Sequence, residues 1–297
     1  MSAHRSGYVA VIGRPNVGKS TLINAVMGRK ISIVTAKPQT TRHRILAVHT
    51  TPAVQIIFVD TPGLHHKAGK AMNRLMNRAA ASAFADADLI LFMSDATRWT
   101  QEDEAALRRL EGCRAPIIAL LNKVDKINPK EKLLEALVQM SARHEFAEIV
   151  PVSAAKGDNL DKLMAMLPGF LPESPPLFPD DMHTDRSKEF YAAEIIREKL
   201  TLMLHQELPY GLTVQIEKYV EAEKNVTINA IIWVERDSQK GMVVGKNGAV
   251  LKKVGRAARL DLVEQLQCRV HLELWVKVKS NWADNEKDLQ SLGYDAP

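Results

Sequence analysis

The run Gly13-Arg14-Pro15-Asn16-Val17-Gly18-Lys19-Ser20 has the spacing G-x-x-x-x-G-K-[ST]. It stands directly after the apolar residues Val9 to Ile12 and directly before a helical stretch, Thr21 to Met27. That context gives the spacing a mechanism. Amides of a glycine-bearing loop and of a helix N-terminus wrap phosphate oxygens, so Gly13 through Thr21 are the expected contacts to a nucleotide. Lys19 adds a positive point charge between the β- and γ-phosphates, and the Ser20 hydroxyl can coordinate Mg2+.

Three further signals sit at the ends of apolar runs. Asp60-Thr61-Pro62-Gly63 follows Val54 to Val59, which puts the Asp60 carboxylate at a sheet edge where it can hold Mg2+ through water, with the Gly63 amide toward the γ-phosphate. Asn122-Lys123-Val124-Asp125 follows Ile117 to Leu121. The Asp125 carboxylate can accept both the N1 and N2 protons of guanine, a pattern adenine does not offer, so the expected nucleotides are GTP and GDP. Asn122 should tie this loop to the Gly13 loop. Ser153-Ala154, closing Ile149 to Val152, can give the base O6 a backbone donor.

Between these loops, Lys37 to Arg44 reads as a segment whose order depends on the γ-phosphate. Thr41, with Thr40 as the alternative, should complete the Mg2+ shell and release after hydrolysis. Lys19, Thr41 and Gly63 are therefore the expected catalytic residues, and Ser20, Thr41 and Asp60 the expected metal ligands. Thr61 to Lys70 reads as a second switch, with His65 and His66 as exposed loop residues. Leu64 stands where Ras-like enzymes carry the glutamine that orients the attacking water, so hydrolysis should be slow. Arg42 and Arg44 could add charge, but switch arginines are expected to be solvated.

The second half carries Gly241-Met-Val-Val-Gly245-Lys246-Asn247-Gly248, an apolar strip running into a G-x-x-G turn and then a basic helix. Glycines let a phosphate approach the backbone, and Lys246 brings charge into the turn. From Asp185 onward Lys and Arg number 17 against 17 Asp and Glu, yet Arg236 to Arg259 alone holds seven positives and one negative. Gly245, Lys246, Asn247, Gly248, Lys252, Lys253 and Arg256 are the expected RNA contacts, with Arg259 continuing the face and Leu251, Val254 and Ala258 turned to the core.

The elements that must position these loops are legible from periodicity. The runs Tyr8–Ile12, Val54–Val59, Leu89–Met93, Ile117–Leu121 and Ile149–Val152 alternate with helical stretches such as Gln101 to Leu110 and Lys130 to His144. This predicts an α/β domain with a doubly wound, mostly parallel sheet over residues 1–172. Four prolines between Leu171 and Asp181 forbid a continuous helix and mark 173–184 as a linker. Residues 185–297 read as a smaller α+β domain. A helix from Asp185 to His205 precedes strands Leu212–Val220 and Val226–Arg236; a short helix and the turn follow, then a helix from Ala249 to Gln267 and a strand from Arg269 to Lys279. This order is that of the prokaryotic, type II KH fold, whose turn clamps single-stranded RNA.

Bulk properties fit this division. The 297 residues are 46% hydrophobic and 25% charged, with a net charge of +5, which suits a soluble protein with two cores and only weakly suggests anionic partners. No apolar run approaches the roughly 20 residues of a membrane span, and Met1-Ser-Ala-His-Arg-Ser lacks a signal peptide's apolar stretch, so a cytoplasmic protein is expected; a monomer is expected as well. Cys113 and Cys268 have no partner at metal-ligand spacing and read as reduced thiols.

The four nucleotide signals in this order resemble the translation-factor-like GTPases. Across essentially the whole chain the sequence is similar to the Era branch of the TrmE-Era-EngA-like family. The strings that carry the resemblance are Gly13 to Ser20, Gln39-Thr40-Thr41-Arg42-His43, Asp60 to Leu64, Asp185-Arg-Ser, Glu194-Ile-Ile-Arg-Glu-Lys199, Glu207-Leu-Pro-Tyr and His271 to Ser280. The resemblance implies a Mg2+-dependent GTPase that binds the 3′ end of 16S rRNA through its KH half and assists assembly and maturation of the small (30S) ribosomal subunit, with GTP controlling access to the RNA surface. It also implies peripheral association with the cell inner membrane, and a potassium ion held partly by Asn16. Two other classes fit the residues: a signalling or trafficking GTPase whose second domain binds protein, and a binding module with a merely structural nucleotide pocket.

Overall fold

In the computed structural model, which describes residues 4–63, 71–204 and 208–294, the first apolar run becomes β1 (Arg5–Ile12), whose last four residues are almost wholly buried. It leads through the Gly13–Gly18 loop into α1 (Lys19–Met27). There follow β2 (Ile45–Thr50), β3 (Val54–Asp60), α2 (Ala71–Ala85), β4 (Leu89–Asp95), α3 (Gln101–Arg108), β5 (Ile117–Asn122), α4 (Glu131–Ser141), β6 (Glu148–Val152) and α5 (Leu160–Met166).

These strands form a sheet in the order β2-β3-β1-β4-β5-β6, with β2 antiparallel to β3 and the other pairs parallel. A parallel strand covered on both faces must be apolar throughout, and β3 and β4 are buried at every position. Strand order reverses beside β1, between β3 and β4. In such sheets the crevice at the carboxyl ends beside a reversal point is where ligands bind.

Periodicity does not show the strand β2 or the helix α2. Ile45–Thr50 follows without a break from polar loop residues, and α2 follows directly on residues 64–70, which are outside those described. The second-switch expectation, with Leu64, His65 and His66, falls on those residues.

The proline-rich stretch that reads as a linker is bonded along the first unit. Ser174 N–H donates to His4 O at 3.1 Å, and buried Gln55 accepts from Leu177 and Phe178 N–H at 2.8 and 2.9 Å while donating to Phe178 O at 2.8 Å. Val48 N–H donates to His183 O at 3.0 Å and Leu46 N–H to Asp185 Oδ1 at 2.9 Å. Prolines cannot donate to a ladder, so a buried amide side chain does the pairing. With Asp185 so engaged, the next helix starts later than the sequence suggests: Ser187 Oγ accepts from Phe190 N–H at 3.2 Å and caps α6 (Lys188–Met203).

The chain divides into two units, one ending at Asp185 and the other running from Arg186 and including 71–75 at the start of α2. The second comprises α6, β7 (Leu212–Ala222), β8 (Asn225–Val234), α7 (Asp237–Val244), α8 (Ala249–Leu266), β9 (Arg269–Val278) and α9 (Glu286–Ser291). Its sheet runs β7-β8-β9, the first pair antiparallel and the second parallel. Ile195, Ile196 and Leu200 of α6 and Val254, Ala258 and Leu262 of α8 close a core against Ile228, Ala230 and Ile232. β8 ends before the predicted Arg236 because Gln239 Oε1 accepts from Glu235 and Arg236 N–H, opening α7.

Candidate functional site

At the reversal point lies a cleft of about 450 Å3. Of the residues expected at a nucleotide, Pro15, Asn16, Gly18, Lys19, Ser20, Thr21, Thr41, Gly63, Asn122, Lys123 and Asp125 line it. Gly13, Arg14, Val17, Asp60, Thr61, Pro62, Ser153 and Ala154 are not among the lining residues. Gly18 has φ 112°, and a Cβ there would collide with Asn122 Nδ2, so only glycine lets the loop close on the base-side strand. Asn122 closes it from the other side, donating Nδ2–H to Val17 O at 2.7 Å and accepting Ala154 N–H on Oδ1 at 2.9 Å.

Three oxygen-bearing side chains converge at the phosphate end. Ser20 Oγ donates to Asp60 Oδ2 at 2.8 Å and lies 3.0 Å from Thr41 Oγ1. Thr40 is engaged elsewhere, donating to Lys37 O at 2.6 Å and lying 2.6 Å from Thr35 Oγ1. Asp60 is fully buried, its Oδ1 has no hydrogen-bond partner among the described residues, and burial pushes its carboxyl above the usual range despite the opposing pull of Ser32, Lys19, Ser20 and Thr41. A buried carboxylate with an open lone pair, beside two hydroxyls, is a hard-oxygen set that fits Mg2+.

Lys19 is 6% exposed and donates to Gly13 O and Arg14 O at 2.9 and 3.1 Å. Burial pushes its ammonium down to about 8, against the pull of Asp60 and helped by Arg14. A lysine held so far below its ordinary value is poised to gain from an anion.

At the other end of the cleft, Asp125 Oδ1 accepts from Ser153 Oγ at 2.6 Å, which fixes the carboxylate. Lys123 Nζ donates to Asn16 O and to Asp95 Oδ2, both at 2.8 Å. Thr61 Oγ1 donates to Val11 O at 2.9 Å, and Asn16 Nδ2 to Ala36 O at 2.8 Å. Ala154 N–H is already bonded to Asn122, and it is Ala155 that lines the cleft.

One expectation about arginines changes. Arg42 is 1% exposed and engaged, not solvated, so it is no free charge over the nucleotide. The Arg14 side chain is buried against Asp103 instead of lining the cleft. Sequence reading missed Asp95, Arg98 and Lys126. Asp95 ends β4 as Asp60 ends β3, so the strand-end signal that found one could have found the other.

In the second unit, α7 ends at Gly245, which has φ 72° and whose added Cβ would lie 2.5 Å from Val250 Cγ2. Asn247 and Gly248 are also left-handed, and Gly248 opens α8. Lys246 and Asn247 are exposed at the turn, and Lys252, Lys253, Arg256 and Arg259 along α8, with Val254 and Ala258 buried and Leu251 partly so. Lys188, Lys199, Lys277 and Lys279 of this unit are paired with carboxylates, whereas none of the five cations at the turn and along α8 makes an ion pair among the described residues.

Fold and site thus define a P-loop GTPase unit joined to a KH unit. Comparison with known proteins agrees: residues 8–123 match a family model described as 50S ribosome-binding GTPase, and residues 207–283 match one described as KH domain. The crystal structure of Era with MgGDPNP and nucleotides 1506–1542 of 16S ribosomal RNA is 40% identical. That match covers 98% of this chain and 99% of the other, with a TM-score of 0.94. A point variant of Aquifex aeolicus Era bound to GDP·AlF4− matches with the same identity and coverage and a TM-score of 0.92. The chain belongs to the Era family of GTPases.

Proposed function

We propose that this protein is a GTP-hydrolysing switch that binds the 3′ end of 16S rRNA and assists assembly of the small ribosomal subunit. The observation that carries the catalytic half is the meeting of Ser20, Thr41 and Asp60 beside Lys19 at one end of a cleft whose other end presents Asp125. Backbone amides of Gly13 to Thr21 hold the phosphates, and Lys19 neutralises charge on the β- and γ-phosphates. Ser20 and Thr41 would hold Mg2+ and Asp60 would hold it through water; the ion would neutralise charge that builds on the phosphate oxygens. Thr41 leaves Ser20 when the γ-phosphate goes, and Gly63 loses its partner, which is the switch. Asn16, whose Nδ2 is occupied by Ala36, has Oδ1 available to a potassium ion.

In this reading residues 1–172 are the nucleotide domain, 173–184 the connection and 185–297 the RNA-binding domain, working as a cytoplasmic monomer with peripheral contact to the inner membrane. Among the described residues no helix is long and apolar enough to cross a membrane. The unpaired cations beside the Gly245 to Gly248 turn favour RNA over a protein partner, because phosphates repeat along a strand as these charges repeat along α8.

The double substitution Lys246→Asp with Asn247→Asp tests the RNA half. Affinity for a 16S 3′-end oligonucleotide should fall about tenfold or more at moderate salt, and the slope of log affinity against log salt should become shallower by about 0.7 for each phosphate that is no longer neutralised. GTP turnover should be unchanged. Undiminished RNA affinity would return the second domain to the protein-binding class.

Lys19 gives a pH signature. Its ammonium titrates near 8 in the free protein, and a bound phosphate favours the charged form, so binding takes up a proton once the free lysine has lost one. GDP affinity should therefore be nearly flat between about pH 6.5 and 7, above the range where the terminal phosphate itself is protonated, and about tenfold weaker at about pH 9. Titration of a fluorescent GDP analogue across that range reads it, and constant affinity throughout would show that Lys19 does not change charge environment on binding.

A further inference from the structure

Behind the phosphate loop four charged side chains from four separate segments meet, two of which, Asp95 and Asp103, have no role in the nucleotide reading. Arg14 Nε donates to Asp103 Oδ2 at 2.8 Å, and Arg14 Nη2 lies 3.8 Å from Asp95 Oδ2, the oxygen that accepts from Lys123. Lys123 in turn donates to Asn16 O, back in the phosphate loop. The side chains of Arg14, Asp95 and Asp103 are 4, 6 and 0% exposed.

Both carboxylates are also held by hydrogen bonds from their own segments. Asp103 Oδ2 also accepts from Thr100 N–H and Oγ–H at 2.9 and 2.7 Å, the capping box of α3. Asp95 Oδ1 accepts from Thr97 N–H and Oγ–H at 3.0 and 2.6 Å, and although burial pushes its carboxyl up, Lys123 and Thr97 outweigh this and hold it below the usual range. Asp103 therefore anchors the phosphate loop to α3, and Asp95 anchors the base loop to the end of β4.

The quartet is not arranged for stability alone. Arg14 Nη2 and Asp103 Oδ1 are buried without a hydrogen bond among the described residues, and a partly satisfied buried ion cluster is commonly no more stabilising than apolar packing of the same volume. What it supplies is a fixed distance between two loops that must grip opposite ends of one ligand.

We propose that Arg14 is a positioning residue for the guanine nucleotide, acting through the loop it belongs to: its tie to Asp103, with the Asp95–Lys123 tie beside it, sets the separation between the phosphate-binding and base-binding ends of the cleft. The inference rests on the GTPase reading above. A pre-set separation serves GDP and GTP equally, so it is uniform binding, which changes KM and leaves kcat alone.

The test uses the full-length protein carrying Arg14→Met, alone and together with Asp103→Asn. In the single variant Kd for a fluorescent GDP analogue and KM for GTP should rise together by about tenfold or more, as loss of uniform binding does, with kcat within about twofold of wild type. The single variant leaves Asp103 buried without its cation and should lose thermal stability; the double variant removes that burden and should regain Tm without regaining affinity. Recovery of affinity together with Tm would mean that Arg14 only stabilises the fold. Unchanged Kd in the single variant, or a fall in kcat at constant KM, would also overturn the proposal. Wild-type protein that binds neither nucleotide would overturn the GTPase reading and this inference with it, whereas normal wild-type binding beside unaffected variants would overturn this inference alone.

Discussion

Lys19→Ala is expected to weaken guanine-nucleotide affinity by about a hundredfold or more and to remove measurable GTP hydrolysis. The ammonium is buried at the head of the phosphate loop, where it donates to two loop carbonyls and faces Asp60. Truncating one member of a desolvated charge pair typically costs about 2–5 kcal/mol, and each 1.4 kcal/mol is about tenfold in affinity. The phosphate oxygens would then face buried Asp60 without the lysine's charge beside them, which leaves Mg2+ alone to offset the repulsion. Equilibrium titration with a fluorescent GDP analogue and a phosphate-release assay read both effects. Oligonucleotide binding by the same variant should persist, because the cations at the G-x-x-G turn and along α8 belong to the other unit. Normal GTP turnover by Lys19→Ala would mean that the phosphates bind elsewhere.

Asp125→Asn is expected to exchange base preference. The carboxylate offers two acceptors to the N1 and N2 protons of guanine, with Ser153 Oγ–H holding Oδ1 in place. Asparagine keeps one acceptor and turns the other into a donor, which opposes the guanine amino group and suits the carbonyl that xanthine carries there. Sites built to hydrogen-bond a group reject the analogue lacking it by about 10^4- to 10^5-fold, so a loss of about a thousandfold in GTP affinity with a gain for XTP is the expected scale. Competition of GTP, XTP and ATP against a labelled nucleotide measures it. Retained GTP preference would place base reading on another residue of the cleft, with Arg98 and Lys126, which also line it, as candidates.

The nucleotide loops were legible because each is a contiguous string at the end of an apolar strand, and strand ends are visible in hydrophobicity alone. The second unit was legible because its helices and strands alternate cleanly around one glycine turn. The predicted boundaries drifted where a distant partner decided the matter. Asp185 reads as a helix start until Leu46 N–H takes its carboxylate, and Arg236 reads as strand until Gln239 bonds its amide. A proline-rich stretch reads as a linker until Gln55, buried more than a hundred residues earlier in the chain, pairs with Leu177 and Phe178.

By itself the sequence carried the proposed chemistry: a loop suited to wrapping phosphates, a strand-end carboxylate, an aspartate suited to reading guanine and a glycine turn beside a basic helix. Each of these needs only residues within a few positions of one another, and local chain geometry is set by local residue types. Tertiary structure alone decided that the Thr41 hydroxyl reaches Ser20 while Thr40 bonds within its own loop, that Arg14 binds Asp103 instead of lining the cleft, and which lysines of the second unit are left without an ion pair among the described residues. The first two of those outcomes join positions 21 and 89 residues apart. They follow from strand order and register, which bring the ends of β1, β3, β4 and β5 to one edge, and no short-range pattern encodes that meeting.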